Sequence, residues 1–276
     1  MKIKSIIFTS IIILLPALCL SKISIEGGLT NERIVSVADS YSGAIIIRNN
    51  GTELTEVKLY QTDYLFYSDG TNQYAEPGSI KRSNADWITF SPPRLTIPPS
   101  ENARVNYTIN VPSDEMLIGT YWSILMVEEV PLSSLELNPE EEEVGITQVL
   151  RYAIQMISNI GDTGNRMIQF INTKVIQESN RRVLQINIEN TGETILRPKV
   201  WTEFYNSEGQ HVGTYEAQTK RTYPGTSIRH EIDISTVPNG AYKAIIVADC
   251  GDDALFGINY TLQIDDDPAL QNENVD

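Results

Sequence analysis

Cysteine and histidine are nearly absent, with two of each in 276 residues. Cys19 falls in the apolar N-terminal stretch, so Cys250 has no internal partner and a disulfide framework is excluded. Cys250 reads as a small, half-buried residue at a strand end. His211 and His230 form no His-x-x-x-His pair and there is no Cys-x-x-Cys, so structural zinc and metal catalysis lack a ligand set. Cations are outnumbered: 21 Lys and Arg stand against 36 Asp and Glu, a formal net charge of -15. Such a chain cannot neutralise a phosphate backbone, nor dock on an anionic membrane surface. Gly-x-Ser-x-Gly, Gly-x-x-x-x-Gly-Lys and Gly-x-Gly-x-x-Gly are all missing, so hydrolase elbows and phosphate loops have no signature. The expectation is a non-enzyme with no cofactor, no bound metal and no small-molecule substrate. Asp252-Asp253 and Asp265-Asp266-Asp267 lack the alternating spacing of a calcium loop and read as solvated turns and tail.

Long apolar runs are confined to the N-terminus. Lys2 and Lys4 precede the run Ile6 to Leu20, and Ala17 and Ser21 offer small residues for cleavage. This is the pattern of a signal peptide over 1–21, and it predicts a periplasmic or otherwise extracytoplasmic mature chain with no membrane span. Leu15-Pro16-Ala17-Leu18-Cys19 also loosely resembles a lipidation signal, with a poorly fitting leucine before the cysteine.

What remains reads almost wholly as strand and turn. Ser42 to Arg48 is a short apolar strand ending at Asn49-Asn50-Gly51, and Val57 to Tyr67 alternates up to the turn at Ser68-Asp69-Gly70. Thr71 to Asp86 is polar and predicts an extended loop. Short strands are expected at Trp87 to Phe90, Leu95 to Ile97 and Ala103 to Val111. Tyr121 to Val127 is apolar on both faces, as suits a strand inside a sandwich, and Pro131 ends it. After a polar loop, Leu132 to Glu143, a second strand begins near Val144. Its even positions, Val144, Ile146, Gln148, Leu150, Tyr152, Ile154 and Met156, are nearly all apolar, so one face is core and the other half open. Apolar residues left on an open strand can recruit another chain. Gly161 to Asn165 predicts a linker. Strands follow at Arg182 to Glu189, Lys199 to Tyr205, Ser227 to Ile234, Tyr242 to Asp249 and Tyr260 to Ile264. An acidic, disordered tail is expected over 265–276.

The pattern past the linker repeats the one before it. Ile47-Arg48-Asn49-Asn50-Gly51 matches Ile188-Glu189-Asn190-Thr191-Gly192, and Pro98-Pro99 matches Pro224-Gly225. Gly119-Thr120-Tyr121 matches Gly240-Ala241-Tyr242, and each looks like a tyrosine corner. Asn49 lies 49 residues before Pro98 and Asn190 lies 34 before Pro224, so the first copy carries 15 more, placed in the loop after Gly70. The prediction is an all-β chain of two tandem immunoglobulin-like β-sandwich domains, 22–160 and 166–264. Trp87, Trp122 and Trp201 are expected in cores. Arg151 stands out as a charge inside an apolar-alternating strand. It reads either as a snorkelling surface arginine or as an anchor for a partner's carboxylate or backbone.

On these residues the chain resembles the periplasmic pilus-chaperone (PapD-like) superfamily. Val127-Glu128-Glu129-Val130-Pro131 looks like that family's strand F ending, Leu132 to Glu143 like its F–G loop, and Ile146 to Ile157 like its strand G. The resemblance implies a chaperone-like protein whose partner is a pilin-like or surface protein subunit, bound by strand addition along Val144 to Met156. It also implies a cleft arginine, for which Arg33 suits the place. The family's strand-G lysine falls on Ala153 here, and Arg151 lies two positions earlier, about 7 Å away. Arg33, Val144, Ile146, Leu150 and Arg151 are therefore the partner-binding candidates. A surface or adhesive scaffold binding peptidoglycan or a protein through the loops Thr71 to Asp86 and Leu132 to Glu143 is the alternative expectation.

Overall fold

The computed structural model describes residues 22–130, 149–178 and 181–265. The signal segment, the loop Leu132 to Glu143 with Val144 and Ile146, and the tail beyond Asp265 lie outside the described residues. Among the described residues no helix is long and apolar enough to cross a membrane.

Seventeen strands and one 3-10 turn are found among them. In the first half these are β1 (Ile23–Glu26), β2 (Thr30–Val35), β3 (Ser40–Asn49), β4 (Thr55–Phe66), β5 (Asn72–Ala75), β6 (Ile88–Ser91), β7 (Arg94–Ile97), β8 (Asn102–Asn110), β9 (Gly119–Val130) and β10 (Arg151–Ile160). One sheet runs β1-β3-β8-β6 and the facing sheet β2-β10-β9-β4-β5, with β7 also on β4. The second half contains β11 (Ile168–Glu178), β12 (Arg181–Asn190), β13 (Lys199–Tyr205), β14 (His211–Glu216), β15 (Ser227–Asp233), β16 (Gly240–Asp249) and β17 (Leu255–Ile264). Its two sheets run β11-β12-β15 and β14-β13-β16-β17. Each half buries its own core: Ile47, Val57, Trp87, Leu125, Ile154 and Met156 belong to the first, and Leu184, Ile186, Phe204, Ile232, Ile246 and Ile264 to the second. The chain is thus an all-β pair of β-sandwiches.

The first strand divides between sheets. β1 pairs antiparallel with β3, and β2 pairs parallel with β10. Gly27 (φ 87°) and Gly28 (φ 95°) make the crossing, in a backbone region open to glycine at no steric cost.

The repeat holds at the level of side chains. Asn49 and Asn190 are fully buried. Asn49 donates from Nδ2 to the carbonyls of Ile97 and Glu53 and accepts from the Gly51 N–H. Asn190 donates to the carbonyls of Thr222 and Thr194 and accepts from the Gly192 N–H. Both pin an Asn-x-Gly turn to the residues just before or at the proline turn. The tyrosine corner is found in the second half only as expected: Tyr242 Oη donates to the Pro238 carbonyl at 2.8 Å. Tyr121 instead packs against Trp87, with ring centroids 4.8 Å apart.

The segment Thr71 to Asp86 is not the extended loop its polarity suggests. β5 pairs with the end of β4, and a 3-10 turn follows at Ala85–Trp87. The buried Asp63 carboxylate holds what lies between, accepting from the Ile80 N–H at 3.0 Å and from the hydroxyls of Ser79 and Ser83. Ser79, Ser83 and the Ile80 N–H satisfy one buried acid, a role composition does not carry.

Candidate functional site

The two faces of β10 have different surroundings. Its even positions Ile154, Met156 and Ile160 enter the first core, as the alternation predicts. Its odd positions point outward, and cross-strand register sets three rows there. Lys58, Glu128 and Arg151 form the first row, Tyr60, Met126 and Ala153 the second, and Thr62, Ile124 and Gln155 the third.

The first row converges on Glu128. Its carboxylate takes Lys58 Nζ at 2.9 Å, Arg151 Nε at 2.8 Å and the Tyr60 hydroxyl at 2.8 Å. Burial alone would raise the Glu128 pKa. The hydrogen bonds from Lys58 and Tyr60 and the charges of Lys58 and Arg151 outweigh it and hold the acid below the ordinary carboxylate value. Arg151 is mostly exposed, and its ion pair with Glu128 sets its direction at the surface.

The third row belongs to the second sandwich. Gln155 Oε1 accepts from Arg221 Nη1 at 2.6 Å and from the Tyr223 hydroxyl. Glu32 on β2 takes Arg197 and, at 3.9 Å, Arg221, while Asn159 Nδ2 donates to its other oxygen at 3.1 Å. Ile157 is buried with Trp122, Ile195 and Tyr223. Trp122 therefore lies at the junction of the sandwiches rather than inside the first core. Thr120 adds two further links: its N–H donates to the Glu193 carbonyl at 2.9 Å, and its hydroxyl accepts from the Ile195 N–H at 2.8 Å. Gly119 (φ 72°) lies under the Glu193 carbonyl, where any Cβ would fall about 2.0 Å from that oxygen.

The edge of β10 is divided at the same point. β2 covers it from Gln155, opposite Thr30, to Ile160, opposite Val35. Gln155 and Met156, expected within the stretch open to a partner, are thus covered by the chain's own β2. The Gln155 N–H donates to the Leu29 carbonyl, and the Leu150 carbonyl accepts from the Glu129 N–H. By the alternation of a β-ladder, the backbone groups of Arg151 and Ala153 turn to the outer edge. No strand pairs with that edge over Arg151 to Ile154 among the described residues. Leu150, half-buried, packs on the first core beside it, and Val149 is exposed.

Arg33 lies elsewhere. Parallel register puts it beside Ser158, on the face opposite Arg151. Its guanidinium rests 4.8 Å over the Tyr41 ring. Seven strand positions from Ser158 to Arg151 are about 23 Å, so the two arginines do not form one grip. Sequence reasoning also missed Glu32, Arg197 and Arg221. No motif surrounds them, and their meeting depends on how the two sandwiches pack.

No family model matches the chain, and no curated protein matches it. Several solved structures are similar to it. A chaperone–tip adhesin complex described as vital for activation of CFA/I fimbriae biogenesis is 13% identical with a TM-score of 0.47, over 87% of this chain and 98% of that one. The CsuC–CsuE chaperone–tip adhesion subunit pre-assembly complex from archaic Csu pili of Acinetobacter baumannii is 15% identical with a TM-score of 0.43, over 87% and 98%. The class 5 fimbriae chaperone CfaA is 14% identical with a TM-score of 0.44, over 87% and 98%.

Proposed function

We propose that this chain is an extracytoplasmic, chaperone-like protein that captures an extended segment of a secreted or surface protein subunit by strand addition to β10. The observation that carries the reading is the division of the β10 edge. From Gln155 onward the strand is covered on its edge by β2 and on its outer face by the second sandwich. At the outward positions Arg151 and Ala153 neither does so among the described residues. An incoming strand would bond the outward backbone groups of Arg151 and Ala153 and continue toward Ile146 and Val144. Leu150 would pack its inner side chains, and Arg151, held by Glu128, would bind a polar or carboxylate group.

The test is capture of protein partners by residues 22–276 from an extracytoplasmic extract, followed by hydrogen exchange on the complex. Ala153→Pro removes an outward N–H and adds a ring on the open edge, while the β9–β10 ladder keeps its bonds. Leu150→Asp charges the apolar side. Both variants should fold and lose capture, and protection in the parent complex should fall on Arg151 to Ile154. Normal capture by folded Ala153→Pro would overturn the proposal, as would protection confined to Thr71 to Asp86.

A further inference from the structure

β17 is a second open edge, and it differs from the other sheet edges of the molecule. It pairs with β16 through ten positions, Gly240 opposite Ile264 to Asp249 opposite Leu255, with no register shift. No strand lies on its other side among the described residues. Edge strands are usually protected by charge, proline, a bulge or shortness. β1, β5 and β6 have four residues each. β2 carries Glu32 and Arg33, β15 carries Arg229 and Glu231, β11 is bulged between Phe170 and Asn172, and the ladder of β14 with β13 shifts register. β17 reads Leu-Phe-Gly-Ile-Asn-Tyr-Thr-Leu-Gln-Ile, without a charge or a proline, in a chain of net charge -15.

Its hydrogen-bonding parity is fixed by the turn before it. The Cys250 N–H donates to the Ala254 carbonyl at 2.9 Å, so even-numbered residues of β17 turn their backbone groups toward β16. Odd-numbered ones face outward. The Leu255 N–H is taken locally by the Asp253 carbonyl. That leaves Gly257, Asn259, Thr261 and Gln263, a set symmetric about Tyr260. Two copies related by a two-fold axis at Tyr260 would pair Gly257 with Gln263 and Asn259 with Thr261, each twice. On the inner face the half-buried Tyr260 would meet its own copy, and the half-buried Ile258 would meet Leu262, both apolar cross-strand pairs. No like charges are brought together within these pairs.

We propose that β17 is the self-association edge of this protein, joining two copies through antiparallel β17 strands centred on Tyr260. The two sheets β14-β13-β16-β17 would then continue into one, an isologous contact that closes on itself. A contact through β17 leaves the β10 edge free, so the two proposals stand or fall separately.

Sedimentation velocity of residues 22–276 over a hundredfold concentration range is the first test, with dimer mass expected at the upper end. Asn259→Lys puts a charge beside the two-fold in each copy, opposite the uncharged Ile245 of β16, and should weaken the dimer at least tenfold with the fold kept by circular dichroism. Tyr260→Cys should cross-link as a dimer under mild oxidation, and Ile258→Cys should not, because only residue 260 faces its own copy. Ala153→Pro should leave the dimer intact. Monomer mass throughout, or a dimer unaffected by Asn259→Lys, would overturn the proposal. Cross-linking at 258 rather than 260 would overturn its register.

Discussion

Trp122 and Tyr223 stack ring on ring across the junction of the two sandwiches, with centroids 4.7 Å apart and planes 12° from parallel. The contact is anchored at both ends. Trp122 Nε1 donates to the Tyr64 carbonyl at 2.8 Å, and the Tyr223 hydroxyl reaches Gln155. Burial pushes the Tyr223 hydroxyl up to about 12, so it stays a donor across the physiological range. Phe66 meets Tyr223 edge-on at 5.8 Å. This cluster covers the outer face of β10 at Ile157, where β2 covers its edge.

Removing the ring at the junction should therefore uncouple the two halves. Tyr223→Ala empties a packed aromatic site and is expected to cost about 3–5 kcal/mol. It should also split one urea transition into two, because each sandwich keeps its own core. Tyr223→Phe retains the stack and loses one hydrogen bond, so about 1 kcal/mol and a single transition are expected. Tryptophan fluorescence, to which Trp87, Trp122 and Trp201 all contribute, and far-ultraviolet circular dichroism, recorded on the same denaturation series, measure the difference. Coincident transitions in Tyr223→Ala would show that the halves stay coupled without the Tyr223 ring.

Asn49→Ala and Asn190→Ala should be damaging to a similar degree. Each leaves two main-chain carbonyls and one main-chain N–H without their side-chain partner, at about 1–3 kcal/mol per buried group. Aspartate in either place would accept from the glycine N–H but could not donate to the carbonyls, so it should rescue little. Chemical denaturation of the four variants tests this. A cost below about 1 kcal/mol for either alanine variant would mean water replaces the side chain.

Those two asparagines also show why the fold was legible in the sequence. Local rules set strands, turns and sandwich pairs, and Asn-x-Gly followed by a proline turn recurs in both halves because the same turn must be pinned twice. Ile154 and Met156 were readable as core from their period of two. The 3-10 turn and the ordered segment after Gly70 were not, because their organiser is Asp63, a buried acid whose partners lie 16 to 20 residues on. Of the candidate site, the core-facing alternation of β10 was legible. Its limits were not. They are set by β2, more than a hundred residues earlier, and by Arg221 and Tyr223 from the other sandwich. The face that Arg33 takes was not legible for a related reason: sequence spacing gives a strand position, while the parallel register decides the face.

Asp63→Ala should loosen the segment it holds without unfolding the sheet. Three hydrogen bonds to Ser79, Ile80 and Ser83 are lost, and their donors lie near the surface where water can replace the acid. The expected outcome is a cost of about 1–3 kcal/mol and rapid protease cleavage within 76–84, absent in the parent. Limited proteolysis with mass analysis reads it. Uncut chain would mean β5 and the 3-10 turn hold the segment alone.

His230 should give the protein an acid limb of its own. It is fully buried on β15 opposite Ile186, its Nδ1 faces the Gln218 carbonyl at 3.3 Å, and its Nε2 has no partner. Burial lowers its pKa to about 4, and the nearby Lys220 charge adds to the effect. The unfolded chain takes up a proton near pH 6.5, and the folded chain does not until about pH 4. Between those values the unfolded state binds more protons, so stability falls as pH falls, by up to about 3 kcal/mol in all. Below pH 4 the term is constant. His230→Leu removes this slope. It should lie within about 1 kcal/mol of the parent at pH 7.5 and gain on it steadily from pH 6.5 to 4.5. Urea denaturation at four pH values compares the two, and parallel curves would sink the assignment. The imidazole resonances give an independent reading. The buried His230 ring should stay neutral down to about pH 4.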